Sequence, residues 1–372
     1  MRPLPILVTA LAFTLAACSD TVQAPSEQAE QPDVRLRFQS AFPAASLFYR
    51  NANYFTDRVA AMSSGRLQIE MMAPGAVVPA FEVLDAVHDG ILDGGHAAPA
   101  YWVGRNRTAT LFGPAPGGPF GMDMLDYMGW MYESNGLELY REFYQQELRR
   151  NVVPIPMTAA GNQILGWFRT PVKSWEDLRG RKCRQTGITA EVFSKSGMQT
   201  VNIPGGEIVP AGQRGVIDCG EWVGPAEDMI IGFHTIWKYA YMPSIHEPAT
   251  VAELLINGRV WEQLPQSYRE IVKSASIEAT LRSQVVADRL NAEALIELRE
   301  QHGVSIERTP DDILANTLKA WDEIAAGESA SNPFFKKVYD SQRAYAGKVV
   351  PGRRAVHAPY ELGANYYWPD KK

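Results

Sequence analysis

An α/β protein of two lobes braced by one long helix is the fold that the sequence predicts, on three observations. Strand and helix patterns alternate in short units after residue 33, the mark of a doubly wound α/β arrangement. The chain has 372 residues, enough for two domains with a core each. Between Gln266 and His302 there is neither glycine nor proline, and Tyr268, Ile271, Ala275, Leu281, Val285, Leu290, Leu295 and Leu298 recur at helical spacing. Such a helix reaches roughly 50 Å, which crosses a whole domain boundary and suits a brace between lobes.

The first residues precede the fold. Arg2 supplies a positive start, Ile6 to Leu15 is an apolar run too short to span a bilayer as a mature helix, and Ala16-Ala17 lead into Cys18. This is the pattern of an export signal over residues 1–18. Leu15-Ala16-Ala17-Cys18 is similar to a bacterial lipobox, in which the cysteine becomes the lipidated first residue; the alternative is ordinary cleavage nearby with Cys18 lost. Residues 19–33, rich in Gln, Glu, Ala and Pro, have almost nothing to bury and read as a disordered tether. An anchor and a leash place the folded part outside the cytoplasmic membrane.

Val34, Leu36 and Phe38 alternate with Arg35 and Arg37, which predicts a strand with one buried face. Leu47 or Phe48, Ala52, Phe55, Val59 and Met62 predict a helix, closed by Gly65. Leu67, Ile69 and Met71 form the next strand, Pro74-Gly75 a turn, and Ala80 to His88 a second helix ended by Asp89-Gly90. His96 to Gly121, dense in glycine and proline, reads as loop and turn. It carries Tyr101-Trp102 just after a strand end, where an aromatic pair either lines a pocket or packs in the core. Asp126 to Arg149 reads as one helical stretch and Asn151 to Pro156 as a strand. Ala160 to Arg169 is the expected first strand of a second unit, followed by a helical turn at Trp175 to Gly180, a strand at Gly180 to Arg184, a helix at Ala190 to Ser196 and a turn at Gly205-Gly206-Glu207. Asn332 to Ala346 is a further helix. Together with the aromatic tail from Arg353 to Trp368, which carries Tyr366, Tyr367 and Trp368, it has no obvious core of its own and is expected to wrap another lobe or another subunit.

The chemistry concentrates at Gly215 to Pro225. Val216-Ile217 run as a buried strand into Asp218, Cys219 and Gly220, and Glu221 then stands beside Trp222. Strand ends of this kind are where open α/β sheets place ligands. Glu221 there can hold a cation or a hydroxyl, and Trp222 offers a stacking surface; the plain alternative is a surface acid and a core tryptophan. Arg184, ending its own strand, is placed to grip a carboxylate with two prongs, or else is an ordinary surface arginine. Gln163 adds an amide and Glu247 a second acid among aromatic residues. An anionic ligand held by Arg184, with a hard cation bridging it to Glu221 and Gln163, would relieve the repulsion between ligand and Glu221.

Other functions find little support. The chain is 46% apolar and 21% charged with a net charge of −6, and its basic pairs Arg149-Arg150 and Arg353-Arg354 are isolated, which does not suit nucleic acid. No nucleophile elbow, phosphate loop, dinucleotide fingerprint or His-Glu-x-x-His helix occurs. The six histidines are scattered, and a zinc site from His234, His246 and Glu247 would be loosely spaced. Cys183 and Cys219 are either a disulfide, natural in an oxidising compartment, or two small buried thiols.

With these residues laid out, the chain resembles the solute-binding subunits of TRAP (tripartite ATP-independent periplasmic) transporters of the DctP type, nearest the α-keto acid and mannitol/chloroaromatic branch. The resemblance runs from about Val34 to the C-terminus. It rests on Phe81 to Ala86 with His96 to Gly104, the run GNQILGWFR from Gly161 to Arg169, the Arg184 strand end, Gly205 to Glu207, the run EWVGP at Glu221, Gly232-Phe233-His234 and His246-Glu247-Pro248. It implies a two-lobed periplasmic binding protein fold with a hinge. The approximate division is 34–158 with 248–285 for lobe I and 159–247 with 286–310 for lobe II, leaving 311–372 as C-terminal helices and a dimerisation segment. It also implies that Arg184 grips the ligand and that Gln163, Glu221, the main-chain oxygen of Trp222 and Glu247 hold a sodium or calcium ion, while Tyr101 and Trp102 line the pocket. Two departures bear on ligand size and polarity: Ile164-Leu165 replace a smaller pair before the GWF, and Gln185-Thr186 follow Arg184 in place of an apolar-Pro pair. The function implied is a periplasmic, non-enzymatic receptor that delivers a small 2-oxo or 2-hydroxy acid to a sodium-driven membrane permease, in some members as a homodimer. Two other classes remain open at this point: a secreted metal-dependent lyase or hydrolase with Glu221 as base, and a ligand-sensing partner of a signalling receptor.

Overall fold

The computed structural model describes residues 33–113 and 115–369. The export signal, Cys18 and nearly all of the tether lie outside the described residues. In chain order the elements begin with β1 (Val34–Ser40), α1 (Leu47–Met62), β2 (Leu67–Met72), α2 (Val83–Asp89), β3 (Gly94–Ala97), α3 (Ala109–Phe112), α4 (Gly118–Gly121), α5 (Met124–Glu133), α6 (Gly136–Glu142) and β4 (Val152–Gly161). There follow β5 (Gly166–Phe168), β6 (Lys182–Arg184), α7 (Thr189–Ser194), β7 (Gln199–Val201), α8 (Gly205–Gln213), β8 (Cys219–Gly220), α9 (Pro225–Ile231) and β9 (Tyr239–Met242). The chain closes with β10 (Thr250–Asn257), α10 (Gly258–Gln263), α11 (Gln266–Glu300), β11 (Ser305–Arg308), α12 (Asp311–Ser331), α13 (Pro333–Val356) and α14 (Tyr360–Tyr367).

The strands form two sheets, one per lobe, in the orders β2-β1-β3-β10-β4 and β11-β9-β5-β8-β6-β7. Each is parallel apart from one inserted strand that runs against both neighbours, β10 in the first sheet and β5 in the second. The chain therefore passes between lobes at β4 to β5, returns at β9 to β10, and crosses again along α11. That helix packs on β4 of the first sheet and on α9 of the second, so the long helix does brace both lobes.

Its buried face differs in part from the expected one. Tyr268, Ala275 and Leu298 are buried as expected, but Leu281 and Val285 point to solvent, and the rest of the face in contact is Val272, Ser276, Ala279, Thr280, Ser283, Ala287 and Ala294. Small side chains let the helix lie close on β4, where Ser283 Oγ accepts from Ala159 N–H at 2.9 Å; bulky residues would hold it away.

Other differences follow from backbone chemistry. The stretch expected as one helix from Asp126 to Arg149 is three pieces, since the chain bends at Ser134-Asn135 before α6 and continues from Phe143 to Glu147 with wider π-type turns. Ala160 to Arg169 is no single strand: β4 runs on to Gly161, whose φ of +74° turns the chain, and residues 162–165 form a corner before β5. The corner leaves Gln163 at a strand end instead of inside a sheet. Gly205-Gly206-Glu207 opens α8 where a turn was expected, with Pro204 just ahead of its first residue. Val216 is exposed, and only Ile217 of that pair is buried.

Cys183 on β6 and Cys219 on β8 are direct parallel partners in the sheet and form a disulfide, with Cα atoms 4.5 Å apart. Helices α12 and α13 pack Trp321, Ile324, Phe335, Val338 and Val350 into the first lobe's core, so this part of the tail wraps its own lobe. Tyr360, Leu362, Tyr366, Tyr367 and Trp368 remain exposed. No helix among the described residues is long and apolar enough to cross a membrane.

Candidate functional site

A small cavity lies where strand ends of the two sheets face each other, the position at which open α/β sheets bind ligands. The turn after β1 brings Phe42 and α1 brings Phe48; the segment after β3 brings Tyr101; the corner after β4 brings Gln163; the ends of β6 and β8 bring Arg184, Thr186, Glu221 and Trp222; and the return to β10 brings Glu247 and Thr250. Six of the seven residues expected at the site therefore meet in one place. The cavity offers about 40 Å³ to the centre of a water molecule, a few times the minimum for a single water, so it suits a ligand of a few heavy atoms.

Trp102 is the exception. It is fully buried in the first lobe's core, where its indole N–H donates to Glu253 Oε1 at 2.9 Å and the Tyr140 and Tyr144 hydroxyls donate to the same carboxyl. Pro99 to Trp102 is a single 3-10 turn, and neighbouring residues on so tight a turn point different ways. Tyr101 accordingly lines the cavity while Trp102 lies in the core, and the two ring planes meet edge-on at 89°.

Arg184 is 1% exposed and Glu221 likewise 1%, and they form a buried ion pair at 2.6 Å. The Arg184 Nη1 also donates to the Glu221 main-chain oxygen at 3.0 Å, and its Nε to Ile203 O at 3.3 Å. The guanidinium lies 5.3 Å from the centre of the Trp222 ring. This fixes the plane of the guanidinium before any ligand arrives, which lowers the ordering cost of binding.

Opposite, Gln163 Nε2 donates to Glu247 Oε2 and to Thr250 Oγ1 at 3.2 Å. Its amide oxygen is buried with no partner among the described residues. Burial and the nearby Glu221 push the Glu247 carboxyl well above the ordinary range; burial also raises Glu221, against the opposing pull of Arg184. Burial raises the Tyr101 hydroxyl above its usual value, with Arg184 opposing and the charges of Glu221 and Glu247 adding to the rise.

Two carboxyls and an orphaned amide oxygen in an apolar box form an oxygen donor set that fits a hard cation such as sodium or calcium, and the Arg184 guanidinium beside them suits an anion. No group of three His, Cys, Asp or Glu side chains suited to a metal occurs among the described residues. The zinc grouping that the sequence disfavoured is also broken up: His234 stacks on His302 with centroids 4.2 Å apart, while His246 Nδ1 meets Ser244 Oγ at 2.6 Å.

Sequence reasoning missed Phe42, Phe48 and Thr250, whereas Thr186, marked as a departure bearing on ligand polarity, does line the cavity. Phe42 stands two residues beyond the end of β1, a signal of the same kind that marked Arg184. Thr250 is the first residue of a strand and carries no local mark.

Residues 38–328 match the DctP family, described as bacterial extracellular solute-binding protein, family 7. The chain is 33% identical over 347 residues to the monocarboxylate 2-oxoacid-binding periplasmic protein of Nostoc sp., an alignment covering 93% of each. Among solved structures it is similar to a TRAP transporter solute-binding protein from Bordetella bronchiseptica, with a TM-score of 0.84 and 28% identity over 91% of this chain and 98% of that one. That protein is a mixed-occupancy dimer with copurified calcium and picolinate in its active site. A periplasmic TRAP solute-binding protein from Pseudoalteromonas atlantica with bound sodium and pyruvate is 29% identical, with a TM-score of 0.82 over 90% and 99% of the two chains.

Proposed function

The chain belongs to the DctP family of bacterial extracellular solute-binding proteins, and from that premise we propose that it is the periplasmic receptor for a small monocarboxylate 2-oxoacid of the size of pyruvate. It binds the acid together with sodium or calcium and passes it to the permease subunits of a TRAP transporter. The observation that carries this reading is the meeting of Arg184 with Gln163, Glu221 and Glu247 in one small cavity. The two solved relatives described above hold picolinate with calcium and pyruvate with sodium.

In this reading Arg184, held flat by Glu221 and Ile203, presents its free edge to the ligand carboxylate. Gln163, Glu221, the Trp222 main-chain oxygen and Glu247 hold the cation. When bound, the cation supplies the positive charge that allows an anionic ligand to sit beside two acids. Tyr101 and Trp222 wall the site, and Phe42 and Phe48 exclude water. The lobes are taken as 34–158 with 248–285 and 159–247 with 286–310, a division supported by the membership of the two sheets. The same reading includes a lipid anchor at Cys18 and a homodimer through 311–372, for which the exposed aromatic side chains of α14 offer the apolar surface.

Calorimetry with pyruvate and calcium, against the same titration after chelation, tests the proposal. Cation-dependent binding of pyruvate without product formation is the expected result. Turnover of a 2-oxoacid, or no affinity for any small monocarboxylate, overturns it.

A further inference from the structure

Helix α1 of the first lobe begins with Ser46 as its cap, whose side chain accepts from Tyr49 N–H, and it has no acidic residue in its first turn. The negative charge that a helix start attracts comes instead from the other lobe. Glu227, in the first turn of α9, reaches across so that its Oε2 accepts from Leu47 N–H at 2.8 Å. The two residues are 180 positions apart, and Glu227 is 2% exposed.

Helix α9 does not need this carboxylate for its own start. Its neighbour Asp228 accepts from Val223 N–H at 2.9 Å, and Asn291 of α11 accepts from Ala226 N–H at 3.0 Å. Glu227 stands five residues beyond Trp222, in the helix that follows the cavity-walling loop; burial raises its carboxyl above the ordinary range, and the Leu47 N–H it accepts from is the largest opposing effect. On the receiving side, Phe48 follows Leu47 directly and packs on Phe42 and on Trp222, with ring centroids 4.4 Å and 6.4 Å apart. Glu227 also borders a second cavity, lined with Arg50, Asn51, Arg282, Ser283 and Arg289.

Resting on the receptor reading above, we propose that Glu227 is a closure latch, a positioning residue that docks the second lobe onto the start of α1 and so ties closure to the state of the Glu221-Trp222 loop. The contact contains no ligand atom. It is made only when the lobes meet, and its loss leaves Leu47 N–H and the carboxylate to water.

The test uses the full chain, spin-labelled at Glu70→Cys in the first lobe and Gln199→Cys in the second, both exposed, with the interlobe distance read by pulsed electron resonance with and without pyruvate and calcium. Glu227→Ala is expected to shift the distances outward in both states and to speed ligand dissociation roughly tenfold, the consequence of losing one helix cap. Glu227→Gln keeps an oxygen for Leu47 N–H and is expected to fall between, and it carries the same comparison should the alanine variant fail to fold. Distances and dissociation rates unchanged by these substitutions overturn the latch. A wild-type protein indifferent to pyruvate refutes the ligand assignment alone, because the ligand-free distances still decide the latch.

Discussion

Replacing Arg184 with alanine removes two things at once, and the structure separates them. The guanidinium is the partner of a carboxylate that is 1% exposed, so its loss strands Glu221 beside Glu247, and breaking a buried pair from one side costs about 3–5 kcal/mol. The ligand would also lose a charge-assisted hydrogen bond, worth about 1.5–3 kcal/mol, or roughly tenfold to a hundredfold in Kd. Chemical denaturation reads the first effect and calorimetry with pyruvate and calcium reads the second. In the double variant Arg184→Ala/Glu221→Gln no carboxylate is stranded, so stability is expected to recover while affinity stays low. A double variant that regains wild-type affinity, or a single variant as stable as wild type, refutes the argument that this arginine serves both the acid and the ligand.

Three other outcomes are expected. Glu247→Gln removes one anionic oxygen donor and should weaken calcium binding at least about tenfold, as calcium titrations at saturating pyruvate will read; unchanged calcium affinity removes Glu247 from the cation site. Gly205→Ala puts a Cβ 2.5 Å from the Trp222 ring, so the indole must shift at a cost of about 1–3 kcal/mol; a crystal structure with Trp222 unmoved and Kd unchanged contradicts this. Burial pushes Asp228 up to about 8 from an unfolded value of about 3.9, so the folded protein keeps a proton that the unfolded chain releases. Its stabilising contribution is complete below about pH 4 and is lost as the pH rises toward 8. The melting temperature of wild type relative to Asp228→Asn should therefore fall between pH 5 and 8, and a relative rise would sink the assignment.

Much of the site was legible because its residues sit at strand ends that carry local marks. Arg184 closes a short strand before a turn, Glu221 follows a small apolar run, and Glu247 lies between a histidine and a proline. Tyr101 and Trp102 show where this ended: two adjacent aromatics on one turn give no signal of which faces the cavity, and Glu253, the acid that holds Trp102 in the core, lies 151 residues away. Leu281 and Val285 show the same limit on a larger scale. Their spacing matched a helix, but the face that packs was chosen by how closely α11 must approach β4, and small residues won.

The sequence by itself determined the alternation of strands and helices, the long uninterrupted helix and the loops that carry charge, because periodicity and turn residues act within a few positions of the chain. Only the tertiary structure decided which of those groups meet. The Cys183–Cys219 bond, the Arg184–Glu221 pair, the Gln163–Glu247 contact and the Glu227–Leu47 bridge span 36, 37, 84 and 180 positions. Each depends on how two sheets and a bracing helix cross in space, and a local pattern of residues holds no record of that crossing.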